Sequence, residues 1–462
     1  MGDKFVKLVS LNVRNLYGYF DYNIDFNSDV TFIYGTNGCG KTTILNITEA
    51  IITGQLYKLF NYDFKEIELL YTSSVKNEKS KTIKIIRSKS NLKVIFNNKD
   101  YKIIKGSVHE ISRKNPQDSR EVFRYYFDQY DFLNTIKQTF NYVYLPLNRS
   151  SVLYEYEDEI DYFMMRRLRS IPSDDDYNND FDNKDIAMMK IEALISFNYS
   201  RINSTISKFS DEFRNKILKS LLEVNRQYSI DNLVKDILKQ GNTVSELQKT
   251  KKAYIKILKE LELIDKSEEE DYNKFFAEFI NEFSTFQKNE FEGLPLDLVI
   301  KFQEISKIKN LVILAEKMEQ RKSLARKPIE IFLSTMNEFI GNSEDEKEII
   351  INSVGRVFFI TKYSNKPISI QYLSSGEKQL VTFFANLIFS VKSSTSGIFV
   401  VDEPELSLHL SWQKRFVEKT LEINKNIQLI FATHSPEIIG RNRNKMYKLE
   451  KKYVEKVELL NE

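Results

Sequence analysis

The stretch Val30–Thr42, VTFIYGTNGCGKT, constrains this chain more than any other. VTFIYG is a short apolar run that ends on a glycine, the pattern of a buried strand. Gly35-Thr36-Asn37-Gly38-Cys39-Gly40-Lys41-Thr42 then fits G-x-x-x-x-G-K-[ST], and residues 41–53, KTTILNITEAIIT, carry the apolar spacing of a helix. Strand, glycine loop and helix in that order give the motif its meaning. The glycines let backbone N–H groups curl inward onto phosphate oxygens, and the helix N-terminus adds partial positive charge. Asn37, Gly38, Cys39, Gly40, Lys41, Thr42 and Thr43 are therefore expected to hold the phosphates of ATP. Lys41 can reach the β- and γ-phosphates, and the Thr42 hydroxyl can bind Mg²⁺.

A second apolar run, Gly397–Val401, ends in the carboxylates Asp402 and Glu403 and continues through Pro404 to Glu405. Asp402 would hold the Mg²⁺ water shell at the C-terminal end of its strand, where α/β sheets place ligands. Glu403 is placed to orient or deprotonate an attacking water.

Between these motifs the chain changes character. Residues 5–35 and 82–104 read as short strands, and NYVYLPL at 141–147 as another. Residues 150–340 have few glycines and strong helical periodicity; Val244, Leu247, Tyr254, Ile257, Leu258 and Leu261 recur at three- and four-residue steps, suggesting helical hairpins or a short coiled coil. The acidic run PSDDDYNNDFDNKD at 172–185 reads as a mobile loop. From about 351 strands and helices alternate again: VGRVFFIT, a helix over 376–391, GIFVVD, a helix over 411–424, IQLIFAT, and closing strands MYKLE and YVEKVEL. The expected organisation is an N-terminal lobe at 1–150, a helical insertion at 151–345 and a C-terminal lobe at 346–462. Alternation of this kind implies a largely parallel sheet covered by helices.

Leu373-Ser374-Ser375-Gly376-Glu377-Lys378-Gln379 resembles the signature motif of ABC-type ATPases, in the form seen in the SMC and RecF branch. Ser375 stands where transporters usually have glycine. The resemblance implies an α/β ABC-ATPase head, a P-loop NTPase sheet built from N- and C-terminal lobes, with a helical or coiled-coil insertion. It also implies that Ser374, Gly376 and Glu377 act in trans, on the γ-phosphate held by a second copy in a head-to-tail dimer. A helix N-terminus is an anion site, but this one lacks a lysine-bearing loop of its own. Ser407-Leu408-His409 resembles the D-loop, and Thr433-His434-Ser435-Pro436 the switch-histidine segment, so His434 joins Glu403 as a catalytic candidate. His409 is read as structural. No glutamine at the family's Q-loop position is identifiable, and Asn148 or Arg149 are the candidates to stand in for it. Tyr17 and Tyr19 are open between adenine stacking and core packing.

The insertion is shorter than an SMC arm and longer than a transporter's helical lobe. YLSSGEKQLVTFFANLIF, DEPELSLHLSWQKRF and ATHSPEIIG look like compact bacterial anti-phage ATPases, the PARIS ATPase first and the Septu ATPase second. Such ATPases work with a separate effector, a TOPRIM or HNH nuclease, and answer a phage-encoded trigger. With three histidines and one cysteine, the chain lacks the residues of an HNH or zinc nuclease site, and too little chain follows His434 for a fused TOPRIM domain. The effector is therefore expected to be another protein. DNA clamping, as in RecF or SMC proteins, is the alternative. The net charge of +3 gives no global drive toward nucleic acid, although QKTKKAYIKILK at 248–259 could supply a local basic groove. No leader or membrane-spanning run is evident, and the single Cys39 excludes an internal disulfide, so a cytoplasmic location is expected.

Overall fold

The structure is a computed structural model that describes residues 6–73, 80–105, 127, 129–140, 142–145, 186–222, 243–260, 263–288, 296–341, 346–390 and 397–453. The acidic run at 172–185 and the Q-loop candidates Asn148 and Arg149 lie outside these residues. The chain divides into two compact units, one formed by Met1–Tyr199 with Pro328–Glu462 and the other by Ser200–Lys327.

In the first unit five strands form a parallel sheet in the order β14 (Met446–Lys448), β3 (Val30–Tyr34), β13 (Gln428–Ala432), β12 (Ile398–Asp402), β8 (Tyr142–Leu145). Residues of β12 and β13 are buried at every position, the mark of a sheet covered on both faces. One face meets α1 (Lys41–Ile52), whose Ile44, Leu45, Ile47, Ile51 and Ile52 share one apolar cluster with Ile33, Ile398, Val400 and Ile430. Against the other face pack α7 (Ser375–Ala385) and α8 (Leu410–Ile423): Phe383 lies 5.9 Å from Phe399 and 4.4 Å from Phe416, and Phe416 lies 6.2 Å from Phe431. Each such side chain contributes about 1.5–3 kcal/mol by leaving water.

The expected parallel sheet covered by helices is this five-stranded one, and the unit holds two further sheets beside it. Most strands of this unit are antiparallel. β15 (Lys452–Tyr453), β2 (Phe20–Asp25), β1 (Val6–Leu16), β4 (Glu66–Ser73), β5 (Lys81–Arg87), β6 (Asn91–Phe96) and β7 (Lys99–Ile104) form a seven-stranded sheet in that order. β11 (Ser364–Ser369), β10 (Val357–Thr361) and β9 (Glu348–Ile351) form a three-stranded one. Short connections join β1 to β2, β5 to β6, β6 to β7, β9 to β10 and β10 to β11 as antiparallel neighbours, whereas β1–β4 and β15–β2 pair across long stretches of chain. The seven-stranded sheet alternates: Ile67, Leu69, Ile83, Ile85, Leu92 and Val94 enter the same cluster that encloses α1, and Glu66, Lys84 and Lys93 take the other face. α1 is thus buried along most of its length, Thr48 and Glu49 included, because residues of both larger sheets pack into the cluster around it.

One side chain stitches those sheets together. Gln428, fully buried, accepts from Leu8 N at 2.8 Å and donates to Leu8 O at 2.9 Å and Asn27 O at 2.8 Å. Three of its amide's hydrogen-bonding positions are filled, so its burial carries little desolvation cost. A further helix of the N-terminal part, α2 (Asp131–Thr139), packs Phe132, Leu133 and Ile136 into the same core.

The second unit is helical. α3 (Ile186–Leu222) and α6 (Leu296–Ile340) contribute residues to both units, and α4 (Val244–Glu260) and α5 (Lys266–Lys288) lie within the second. Leu247, Phe276, Phe279, Phe283, Leu298, Phe302 and Ile305 close a small core between α4, α5 and the first turns of α6. Arg321 of α6 pairs with Glu212 of α3 at 2.7 Å and lies 3.9 Å over the ring of Phe209. Pro328 sits inside α6 where the units divide; its ring removes one backbone hydrogen bond there. No helix among the described residues is long and apolar enough to cross a membrane.

Candidate nucleotide site

β3, β12 and β13 run parallel, so their C-terminal ends open on one side of the sheet, and the marked residues collect there. The loop Gly35–Gly40 leaves β3 and enters α1. Gly38 and Gly40 have φ of 77° and 101°, where a side chain is strained. Gly35 is needed for a different reason: a methyl there would lie 2.7 Å from Cys39 Sγ and 2.9 Å from Leu449 O. Gly40 caps α1 without a side-chain bond, so the first N–H groups of the helix keep their capacity for an anion. Asn37 and Gly38 are exposed, Thr43 is half-buried, and the Cys39 thiol is buried against Gly35. Cys39 therefore faces the loop with its backbone, whose carbonyl accepts from Tyr22 Oη at 2.9 Å.

Lys41 is 7% exposed, and its ammonium lies 2.6 Å from His434 Nε2 and 3.4 Å from Gly35 O. An ammonium can only donate, so this contact requires a neutral imidazole protonated on Nδ1. Thr42 Oγ1 donates to Asp402 Oδ2 at 2.9 Å. The second carboxylate oxygen, Asp402 Oδ1, is buried with no hydrogen-bond partner. Burial holds the Asp402 carboxyl above the usual carboxylate range, with the Thr42 bond and Lys41 opposing and Glu403 and Glu405 adding to the rise. An orphaned carboxylate oxygen beside a threonine hydroxyl at a phosphate loop is an oxygen donor set that fits Mg²⁺.

Glu403 follows at once and is half-buried, with φ 46° and ψ 58°. A left-handed non-glycine residue costs about 1–2 kcal/mol. Its N–H donates to Ala432 O at 2.8 Å, which fixes the turn that carries its carboxylate off the end of β12. Such strain is retained where surrounding structure enforces it, commonly at functional sites.

Motif reading assigned no role to Glu405. Its carboxylate accepts from Thr433 Oγ1 at 2.8 Å and from His434 N at 2.7 Å, so it fixes the backbone that presents His434. Gln413 was also missed: it accepts from Ser435 Oγ at 2.7 Å and donates to Leu408 O at 2.8 Å, bracing the same segment from α8. The only signal for Glu405 was its place two residues after the acidic pair. Gln413 had none, because Ser435, the partner it braces, lies 22 residues away in sequence. His409 is a helix cap: its Nδ1 lies 2.8 Å from Ser411 Oγ, and its ring meets Trp412 edge-on. Tyr17 and Tyr19 stand 42% and 54% exposed on the β1–β2 turn, outside the core.

The signature segment is built separately. Ser374 caps α7 in a reciprocal box: Glu377 N donates to Ser374 Oγ at 3.4 Å, and Ser374 N donates to Glu377 Oε2 at 2.7 Å. Ser374 and Ser375 are exposed. Gly376 is not: a methyl there would lie 2.2 Å from Ser407 O, so only glycine lets α7 press on the Pro404–Ser407 turn. Glu377, expected beside Ser374 at the surface that acts in trans, is 3% exposed and spends its carboxylate inside its own chain. Gln379 Nε2 donates to Pro404 O at 2.8 Å and ties the same helix to the same turn.

Comparison with known proteins agrees with this chemistry. The family described as AAA ATPase domain matches residues 7–439. A retron Ec83 probable ATPase of Escherichia coli is 28% identical over 138 residues, 28% of this chain and 25% of that protein. A retron Vc95 probable ATPase of Vibrio cholerae is 27% identical over 192 residues, 37% of this chain and 36% of that one. The Septu protein PtuA of Bacillus thuringiensis is 30% identical over 91 residues, 17% and 23% respectively. The matches thus span about a third or less of these curated relatives. Among solved structures, the Smc head domain with an extended coiled coil bound to the C-terminal domain of ScpA, from Pyrococcus furiosus, aligns at TM-score 0.41 and 14% identity over 97% of this chain and 96% of that one. With the family matched along nearly its whole length and a phosphate loop at the mouth of a parallel sheet, the chain belongs to the AAA ATPase domain family, an ATP-hydrolysing family built on a mixed α/β P-loop head.

Proposed function

We propose that this protein binds and hydrolyses MgATP at a site completed by a second copy of itself, and uses that cycle to control a separate effector in bacterial anti-phage defence. The observation that carries the ATPase reading is the convergence of Lys41, Thr42, Asp402 and His434 from three strand ends, with Asp402 Oδ1 left unpartnered. Mg²⁺, when bound, would neutralise charge on the β- and γ-phosphate oxygens, held by Thr42 and Asp402. The chain's own residues do the rest. The α1 N-terminus and the loop N–H groups receive phosphate oxygens. Lys41 exchanges His434 for the γ-phosphate. His434, aimed by Glu405, stays within reach of it, and Glu403 orients the attacking water and takes its proton. Ser374 and the α7 N-terminus would close the site of the second copy.

The similarity to retron and Septu ATPases supports the defence setting, and the chain length and helical insertion favour, by analogy, the PARIS arrangement with a nuclease effector and a phage-encoded trigger. A DNA clamp is the second reading. The exposed Lys249 and Lys252 on α4 favour it, whereas Lys251 donates to Asn273 O and Lys259 pairs with Glu269. The deciding experiment is a pull-down of tagged Glu403→Gln protein, co-expressed with its genomic neighbours and sized with and without ATP. A stable complex with a nuclease-like protein supports the defence reading. An ATP-dependent dimer that retains DNA in a salt-dependent manner, with no protein partner, replaces it with the clamp.

A further inference from the structure

Lys347 belongs to none of the motifs above. It stands between α6 and β9, and its ammonium reaches the two carboxylate oxygens of Glu377 at 3.0 and 3.3 Å. The pair is enclosed, with side-chain exposures of 17% and 4%, and the ammonium also lies 5.6 Å from the ring centroid of Phe359 on β10. The backbone beside Lys347 is pinned: Ile349 N donates to Asn337 Oδ1 at 2.7 Å and Asn337 Nδ2 donates to Ile349 O at 3.4 Å, tying β9 to the last turns of α6. Lys347 is therefore a charge delivered from a fixed place to the foot of the signature helix.

A carboxylate as buried as that of Glu377 is costly unless an opposite charge and hydrogen bonds compensate it. It has both. Ser374 N–H supplies one bond, and Lys347 the charge. Ser374 Oγ accepts the long 3.4 Å contact from Glu377 N, and the Ser374 side chain also bonds the Glu377 carboxylate, so the serine is tied to the pair from both sides. Ser374 and Ser375 are exposed, Lys347 and Glu377 are not. The arrangement is an inner charge pair under an outer pair of hydroxyls.

We propose that Lys347 is a positioning residue for the signature motif: by neutralising Glu377 it holds Ser374 and the first turn of α7 in the posture that receives the γ-phosphate bound by the second copy. This rests on the composite-site reading and deepens it. Lys347 touches no nucleotide. It acts through Glu377, so its loss changes turnover in the closed dimer and leaves nucleotide capture at Lys41 alone.

The test uses the full-length protein with Lys347→Met, Lys347→Arg, Glu377→Gln and the double variant Lys347→Met with Glu377→Gln. Each is measured for kcat, KM, affinity for a fluorescent ATP analogue and Tm. Lys347→Met is expected to lower kcat about tenfold, the scale of losing one hydrogen bond to a charged group, with KM and analogue affinity within about twofold. Lys347→Arg should keep most of the rate. The double variant should recover much of what Lys347→Met loses, because no unpaired charge remains buried. Wild-type kcat in Lys347→Met overturns the proposal. So does a double variant no faster than Lys347→Met, which would make Lys347 a direct ligand of the nucleotide. If Lys347→Met alone does not fold, a folded double variant decides by the same rate comparison with wild type and Glu377→Gln. Turnover that survives Lys41→Ala sinks the composite-site reading and the proposal with it; turnover that needs Lys41 but ignores Lys347 sinks the proposal alone.

Discussion

Replacing Gly376 by alanine adds one methyl where α7 meets the turn after Glu403. That methyl would sit 2.2 Å from the Ser407 carbonyl oxygen and 3.3 Å from Trp412 Cζ3. The first distance is more than 1 Å short of an ordinary contact, and its partner is backbone, so the relief must come from moving α7 or the turn. Overpacking of this kind costs about 1–3 kcal/mol. Alanine's better helix propensity returns up to about 1 kcal/mol. With the full return the net is a loss of up to about 2 kcal/mol, seen as a lower Tm. The functional effect should be larger than the thermal one. A shift near 1 Å between Ser374 and the Glu403 turn is of the size that costs about a hundredfold in rate when reacting groups must be aligned. We expect Gly376→Ala to bind a fluorescent ATP analogue normally and to turn over about a hundredfold more slowly. A variant as stable as wild type and equally active would refute the reasoning, since helix propensity would then have won and the contact with Ser407 would not matter.

Glu403→Gln should slow hydrolysis at least about a hundredfold and trap an ATP-bound dimer on a sizing column, because a general base is lost while binding groups remain. Lys41→Ala should instead weaken nucleotide binding, read by titration of the same analogue. Asp402→Asn removes a buried charge, so the nucleotide-free protein should melt higher than wild type near neutral pH while losing Mg²⁺-dependent turnover; a lower Tm would mean that the Thr42 bond outweighs the cost of burial. For Glu377, burial alone would raise the carboxyl, but the Ser374 N–H, the Ser374 hydroxyl and Lys347 outweigh it and hold it below its ordinary value of 4.5. Its contribution is therefore present above that pH and is lost as pH falls below it, through the lowered value. The Tm gap between wild type and Glu377→Gln should accordingly narrow on acidification below pH 4.5, and a gap that stays constant would show that the charge contributes nothing.

The nucleotide-site elements were legible because they combine short-range signals. VTFIYG, GIFVVD and IQLIFAT are continuous apolar runs, and each is a strand of the parallel sheet. The loop after the first carries glycines that the backbone needs. The antiparallel sheets were less legible. β4, EIELLYTS, drew no notice because Leu69 and Leu70 interrupt its alternation, and it is defined by pairing with β1 and β5 on either side. The helix expected to run to 391 ends as α-helix at Ala385 and continues as a π-turn over Asn386–Ser390, where Asn386 Nδ2 donates to Thr382 O. In the second unit the three- and four-residue spacing of Leu247 and Leu258 correctly indicated helix, but the phenylalanines that fill the small core are spread over α5 and α6. At the site, Glu405, Gln413 and Lys347 escaped notice for one reason. Each works through a partner that the fold supplies and the local sequence does not show.

The place of β3 has a consequence for how the protein is made. Both of its neighbours in the sheet, β13 and β14, come from the far end of the chain. Strand β3 and its glycine loop are made long before β13 and β14, and neither flank is covered until those strands have been synthesised. The same holds for the Gln428 stitch, whose partners lie 420 and 401 residues upstream. The long-range closure makes assembly of the site a late event, during which Val30, Phe32 and Ile33 are open to wrong partners. A nascent chain stalled before β13 would hold the phosphate-loop sequence without the sheet that shapes it, so nucleotide binding in this protein reports that synthesis has run past that strand.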